Sequence, residues 1–257
     1  ARILGIPTAY CAASWDNLSS KGLVRGDPDR TILWNGSQKE EAVSLHGVPP
    51  ERIVITGAQN FDDWFERRPT LVREEFCRKL GLRPDRPFIL YLCSSNFMAP
   101  NEADFVRRWL EKAHSCGDPV LADIGVLIRP YPEHAKPFDR FDLDRFPNVA
   151  IHPRGGGYPL EEDARADFFD AIFHSAAVVG VNTSAMIESA IIGRSVLTVL
   201  AEEFKESQEG TIHFHYLRSE NGGFLHVGSN IEEHLLQLSR VVAGGEEERQ
   251  RIERFKE

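Results

Sequence analysis

The chain has no apolar run of the roughly 18 residues that a membrane-crossing helix needs. It has no C-x-x-C pair. Its four cysteines, Cys11, Cys77, Cys93 and Cys116, lie far apart, so no zinc or dithiol redox motif is written in them. They read as small buried thiols of a reducing cytoplasm. There is no excess of positive charge: 30 Lys and Arg face 39 Asp and Glu, for a net charge of −9. A general nucleic-acid binder carries the opposite balance. Net charge describes the whole surface, however, and leaves room for one basic cleft that holds a phosphate. Internal repeats and low-complexity tracts are absent, as is a secretory leader pattern. The opening Ala1-Arg2-Ile3-Leu4-Gly5-Ile6-Pro7 reads as mid-domain sequence, and a preceding segment is expected.

What is present is an ordinary globular composition: 257 residues, 42% hydrophobic and 27% charged, enough for one large domain or two small ones. Short β-rich runs read as buried strands at Ile32–Trp34, Ile53–Thr56, Phe88–Leu92, Gly125–Ile128, Val149–Ile151, Ala177–Val181 and Val196–Leu200. Helical patterns lie between them. Ser37 with Glu40 predicts a capping box and a helix that stops at Gly47. Val72, Phe76 and Leu80 recur at helical spacing before Gly81. Phe105, Val106, Trp109, Leu110 and Ala113 form an apolar stripe behind a candidate Asn101 cap. Phe168, Phe169, Ile172 and Phe173 form another, as do Met186, Ile187, Ala190 and Ile191. Asn230 with Glu233 predicts a second capping box.

Alternating strand and helix is the pattern of an α/β fold with a doubly wound parallel sheet. Right-handed crossovers then gather the strand-to-helix loops at one sheet edge, where ligands bind. A boundary is expected at residues 60–72, with one unit over 1–66 and a fuller one over 67–257. The terminal stretch 246–257 is highly charged and reads as a docked helix or a frayed tail.

The loops at that edge carry the candidate chemistry. Asn182-Thr183-Ser184 precedes an apolar helix, whose free N–H groups and positive dipole end suit a phosphate. Glu188, one turn in, is placed to accept from a ribose diol. A plain Thr or Ser cap fits the same residues. Ser94 and Ser95 follow a buried strand and offer close backbone approach, or an ordinary turn. Arg129 leaves another strand into Pro130-Tyr131-Pro132, a stiff loop in which Arg129 would pair with phosphate and Tyr131 pack on a base or sugar. His213 and His215 share a face if that segment is extended, for a metal, a sugar hydroxyl or structure alone. Asp27-Pro28-Asp29 and Asp142-Leu143-Asp144 match a short Asp-x-Asp metal pattern but read as solvated turns. Near the start, Trp15-Asp16-Asn17 with Lys21 gathers a candidate base toward an acceptor hydroxyl and a cation for phosphate.

The order of four segments resembles the GT-B superfamily of nucleotide-sugar-dependent glycosyltransferases. Within it the chain looks closest to bacterial surface-polysaccharide enzymes and the CDP-glycerol glycerophosphotransferases. Trp15-Asp16-Asn17 with Lys21 stands where the latter have Trp-His-Gly…Lys. Gly57-Ala58-Gln59-Asn60-Phe61-Asp62 is similar to their Gly-Tyr-Pro-Arg-Asn-Asp, Arg129-Pro130-Tyr131-Pro132 to their basic-x-His-Pro, and Thr183-Ser184 through Glu188 to their Ser-Ser…Glu. Two family histidines are replaced here, by Asp16 and Tyr131, and the Pro-Arg of the second motif is missing.

The resemblance implies a GT-B fold with the N-terminal domain largely missing. Residues 1–66 would end the acceptor-side domain, and 67–257 would be the Rossmann-like donor domain. It implies metal-independent transfer from a nucleotide-diphosphate sugar to a glycan, lipid or polyol hydroxyl in cell-surface glycan synthesis. No cofactor and no nucleic acid would be involved. Asp16 and Lys21 would be catalytic. Ser94, Ser95, Arg129, Tyr131, Thr183, Ser184, Glu188 and His213 would bind the donor. The expected place is the cytoplasm, at the inner face of the membrane, with peripheral contact through the missing domain, and the segment alone would turn over poorly. Alternatives are a polyol-phosphate transferase or UDP-sugar 2-epimerase on the same scaffold, a non-catalytic nucleotide or glycan binder, and a metal-dependent hydrolase using His213 and His215.

Overall fold

The computed structural model describes residues 1–244, and the terminal stretch singled out above lies outside them. The chain divides into two compact units. The first comprises Ala1–Glu66 with Thr211–His213, and the second Arg67–Gly210 with the residues from Phe214 onward.

The first unit runs β1 (Ala9–Cys11), α1 (Asn17–Ser20), β2 (Arg30–Leu33), α2 (Gly36–His46), β3 (Ile53–Ile55) and α3 (Asp62–Glu66). Its three strands form a parallel sheet in the order β1-β2-β3, with Cys11 beside Ile32 and Ile32 beside Val54. The cap of α2 sits two residues earlier than Ser37. Asn35 is extended, and its side-chain oxygen accepts from the Gln38 amide at 3.0 Å. The Gln38 side chain in turn accepts from the Trp34 amide at 2.9 Å. Asn35 is the better acceptor at this position because its carboxamide reaches the third amide of the helix, which leaves Ser37 inside the first turn. Gly47 closes the helix in the left-handed region, at φ 65°.

The second unit runs α4 (Arg73–Leu80), β4 (Phe88–Leu92), α5 (Glu102–Ser115), β5 (Gly125–Arg129), β6 (Val149–Ile151), α6 (Glu162–His174), β7 (Ala177–Gly180), α7 (Ala185–Ile192), β8 (Val196–Val199), α8 (Ile212–Leu217), β9 (Leu225–Gly228) and α9 (Ile231–Val242). The first two residues of α8 group with the other unit. The sheet is parallel throughout, in the order β6-β5-β4-β7-β8-β9. Every residue of β4, β5, β7 and β8 is buried, as covering both faces of a parallel sheet requires. Trp109 and Leu110 of α5 and Leu235 and Leu238 of α9 pack with Ile89, Tyr91, Val126 and Val179 in the core.

The strand order locates the ligand edge. The chain lays β4, β5 and β6 outward in one direction, then returns to place β7 against the other side of β4. Crossovers to opposite faces leave a crevice beyond the carboxyl ends of β4 and β7.

Two elements escape the hydrophobic pattern. The strand β1 is three residues long with Tyr10 half-buried, and β9 is interrupted by His226. Asn101 does not cap α5. It is left-handed at φ 59° and makes no side-chain cap bond. Instead, the Glu102 carboxylate turns back to accept from the Ser94 amide at 2.7 Å. The second capping box forms in its first half, Asn230 accepting from the Glu233 amide at 2.9 Å, while the Glu233 carboxylate reaches one residue further back and accepts from the Ser229 amide at 2.9 Å.

Candidate functional site

A hollow of about 210 Å³ opens at that crevice. Four stretches distant in the chain line it: Leu92 and Cys93 after β4, Arg129 to Pro132 after β5, Gly157 to Pro159 after β6, and Thr183 to Ala185 with Glu188 at the start of α7. Phe168 of α6 closes one side.

The α7 wall supplies polar groups. Ser184 is the cap residue of α7, yet its side chain makes no cap bond. Neither the Thr183 nor the Ser184 hydroxyl has a protein partner among the described residues, so the helix start keeps free donors. The Glu188 carboxyl is half-buried and has no cation beside it among the described residues. Burial alone raises it from an ordinary 4.5 to about 7.

Arg129 forms the facing wall. It is 8% exposed, its Nη1 donates to Asp167 Oδ2 at 2.9 Å, and its guanidinium lies 5.0 Å from the centre of the Phe168 ring. The same carboxylate accepts from Lys79 Nζ at 2.9 Å and lies 3.1 Å from His152 Nε2. Burial would raise the Asp167 carboxyl, but these bonds outweigh it and hold Asp167 well below the usual carboxylate range.

Tyr131 and Tyr158 make an edge-to-face pair, with ring centres 6.2 Å apart. The Tyr158 hydroxyl donates toward Tyr131 Oη at 3.5 Å. The bond to Tyr131, burial and the nearby Glu133 raise the Tyr158 phenol. Sequence reading missed the stretch His152–Pro159 entirely. Its signal was the run Gly155-Gly156-Gly157. Gly156 is left-handed at φ 68°, and a Cβ there would stand 2.5 Å from Pro132 O. The glycine thus lets the two loops that carry Tyr131 and Tyr158 meet. Gly156→Ala should cost about 2 kcal/mol or more, from the left-handed conformation and the overlap together. Urea denaturation checks this, and a cost under about 0.5 kcal/mol, the range of a neutral surface change, would mean that the loops yield freely.

Other expected site residues lie elsewhere. Ser94 is fully buried behind the hollow. Its amide is taken by Glu102, and its Oγ accepts from the Asn182 amide at 3.1 Å, so it ties two loops together and does not face a ligand. Ser95 is not among the lining residues, and its carbonyl accepts from the Met98 and Ala99 amides of a turn. His213 and His215 are not in an extended segment. They sit in α8, where residues two apart diverge by about 200°. His213 is buried while His215 points to the Glu209 carbonyl at 2.9 Å, so the two do not converge on one ion. Among the described residues no group of three or more His, Cys, Asp or Glu is placed to hold a metal. Asp29 accepts from the Thr8 amide at 2.8 Å, and Asp27 pairs with Arg52.

Within the first unit, Asp16, Lys21, Ser14, Ser19, Trp15 and His213 form a polar group. Lys21 Nζ is 2.8 Å from Asp16 Oδ1, and Ser14 also donates to that oxygen. Burial works against the Asp16 carboxylate, but Lys21 and Ser14 prevail and lower its pKa. His213 Nδ1 is 3.1 Å from Ser19 Oγ, and its ring meets Trp15 edge-on at 4.6 Å. Burial lowers the His213 imidazole, which therefore stays neutral.

No family model and no curated protein matches the chain. Solved structures do. WaaG, a glycosyltransferase involved in lipopolysaccharide biosynthesis, aligns at TM-score 0.55 and 15% identity, over 98% of this chain and 70% of its own. The wall teichoic acid polymerase TagF aligns at TM-score 0.50 and 17% identity, over 88% of this chain and 52% of its own. The UDP-GlcNAc 2-epimerase from Methanocaldococcus jannaschii aligns at TM-score 0.53 and 12% identity, over 85% of this chain and 56% of its own. The chain thus spans about half the length of the TagF chain that it matches. At these identities the likeness concerns the fold, which is the doubly wound α/β fold of GT-B type.

Proposed function

We propose that the hollow binds the nucleotide-diphosphate part of an activated sugar, and that the protein transfers the glycosyl group to an acceptor hydroxyl in cell-surface glycan or glycolipid synthesis. One observation carries this reading. Free helix donors at Thr183 and Ser184, an arginine and an uncompensated carboxyl face one another across a hollow with an aromatic rim. The diphosphate is held by the α7 start and Arg129, where negative charge grows as the sugar–phosphate bond breaks. Glu188 accepts from the ribose diol, and Tyr131 packs on the base or sugar. The acceptor oxygen forms the new bond to the anomeric carbon as the nucleoside diphosphate leaves, and its proton passes by way of Asp16 to solvent. Asp16, with Lys21 beside it, is the acceptor-side carboxylate. Because Lys21 and Ser14 keep it ionised, it acts by orienting the hydroxyl more than by holding the proton. The CDPG soaked into a TagF variant and the UDP-GlcNAc and UDP of the epimerase complex make UDP- and CDP-linked donors the first to try.

Thermal-shift screening with UDP-, CDP-, GDP- and dTDP-linked donors tests the reading. One of them should raise Tm, because a ligand that binds only the native state stabilises it. Arg129→Ala and Glu188→Ala should each remove the rise. Parent-like responses from both variants would place the ligand elsewhere. Product analysis separates the related reactions: epimerisation proceeds without an acceptor, and polyol-phosphate transfer releases a nucleoside monophosphate.

A further inference from the structure

Among the described residues Arg129 is the one guanidinium that lines the hollow, and the structure shows how it is held. It is tied at Nη1 alone. Its Nε and Nη2 donors have no protein partner among the described residues, and its plane lies over Phe168. The carboxylate that ties it comes from α6 and is gripped in turn from two further elements, by Lys79 at the end of α4 and His152 after β6. Lys79 is half exposed and its ammonium is not among the groups that line the hollow. Asp167 is therefore the hinge pin of the arginine: four elements meet on it, and only one of its partners reaches the ligand side.

We propose that Asp167 is a positioning residue for anion binding: by taking Arg129 Nη1 it presents the other two guanidinium donors to a diphosphate in the hollow. This rests on the reading that the hollow is an anion site, but not on the nucleotide or the sugar. The alternative is that Asp167 is charge ballast, a carboxylate that offsets buried cations and touches function only through its field. The two roles predict opposite signs. With Lys79 and Arg129 against Asp167, the cluster carries a net +1 before His152 is counted. Asp167→Asn raises that by one charge. If the field governs, an anion binds the variant more tightly. If orientation governs, it binds more weakly, because a freed guanidinium loses its fixed geometry and the Asn amide presents donors to donors.

The experiment is calorimetric titration of the parent, Asp167→Asn and Lys79→Met with inorganic pyrophosphate, UDP, CDP and the matching uncharged nucleosides. Positioning predicts that Asp167→Asn weakens pyrophosphate and nucleoside diphosphate at least tenfold and leaves the nucleoside within twofold. It predicts that Lys79→Met, which removes a nearby charge without untying Arg129, weakens the diphosphate less than threefold. Tighter diphosphate binding by Asp167→Asn overturns the proposal. So does a tenfold loss in Lys79→Met, which stays decisive even where Asp167→Asn fails to fold. A parent that binds pyrophosphate but no nucleotide defeats the glycosyl-transfer reading and leaves this proposal standing. A parent that binds neither defeats both.

Discussion

Glu102→Gln is expected to abolish a loss of stability that the parent suffers as pH rises from about 4.5 to about 8, so that above 8 the variant is the more stable protein by up to about 5 kcal/mol. The Glu102 carboxyl is completely buried at the start of α5, accepting from the Ser94 amide at 2.7 Å and from the Tyr91 hydroxyl at 3.3 Å. Burial outweighs those bonds and pushes it from the ordinary 4.5 to about 8. Among the described residues, Tyr91 and Cys93 are the titratable groups that face it, and neither supplies a positive charge. The raised value fixes the sign. Between 4.5 and 8 the folded protein holds a proton that the unfolded chain releases. The stabilisation is therefore complete below 4.5 and is lost as pH climbs through 8. Two other groups act nearby. His234, fully buried and pushed down to about 4, gives the opposite slope, but only below its ordinary 6.5. Glu188 adds a weaker slope of the same sign, and it is common to both proteins. Glutamine keeps the length and one acceptor for the Ser94 amide. Its amide nitrogen can donate to Tyr91 Oη, so the comparison isolates the charge. Urea denaturation at pH 6, 7, 8 and 9 measures it. Parallel stability curves for parent and variant would mean that water reaches Glu102 and that the carboxylate ionises at little cost.

Why some of this was legible and some not follows from where each signal lies. The strands β4, β5, β6 and β7 announce themselves because a parallel strand covered on both faces must be apolar at every position, as in Phe88-Ile89-Leu90-Tyr91-Leu92. The strand β1 could not, since Ala9-Tyr10-Cys11 is too short and too exposed to set a period. That Arg129, Tyr131, Thr183, Ser184 and Glu188 line one hollow was reachable because they lie at the end of a buried strand or in the loop and first helical turn after one, and strand ends share an edge. The same rule overreached at Ser94. A serine after a strand faces a ligand only if nothing else claims its hydroxyl, and here Asn182, 88 residues on, claims it. His213 and His215 failed for a different reason. Thr211-Ile212-His213-Phe214-His215-Tyr216 alternates like a strand, but Ile212–Leu217 folds as a helix. The glycine run marks Gly156 without its role, and Asp167 carries no mark at all: an aspartate on a helix and a glycine among glycines gain meaning only from Arg129 and Pro132, which no local window contains.

Asp170→Ala should cost about 1.5–3 kcal/mol, the range for losing hydrogen bonds to a charged group. The side chain is 1% exposed on α6. One carboxylate oxygen accepts from the Thr70 amide at 2.9 Å. The other accepts from the Thr70 hydroxyl at 2.7 Å and the Leu71 amide at 3.0 Å. One turn further along α6, His174 Nε2 lies 2.8 Å from the Leu71 carbonyl. The helix thus grips both sides of a single peptide segment. That segment leads into α4, whose cap residue is Val72 and offers no side-chain acceptor. Asp170 does not replace that cap: it bonds the two residues just before Val72 and so fixes the path by which the chain enters the helix. Alanine leaves two amides and a hydroxyl without partners, whereas Thr70→Val removes only the hydroxyl bond and should cost about 1 kcal/mol. Asparagine keeps one oxygen and should fall between them. Since Lys79 lies at the other end of α4 and bonds Asp167, loosening the segment also slackens the cluster that holds Arg129. Amide exchange over Arg73–Leu80 should quicken in Asp170→Ala well before the sheet opens. If urea denaturation shows a loss below 1 kcal/mol, solvent has replaced the three bonds, and α4 is held by Phe76 and Cys77 packing alone.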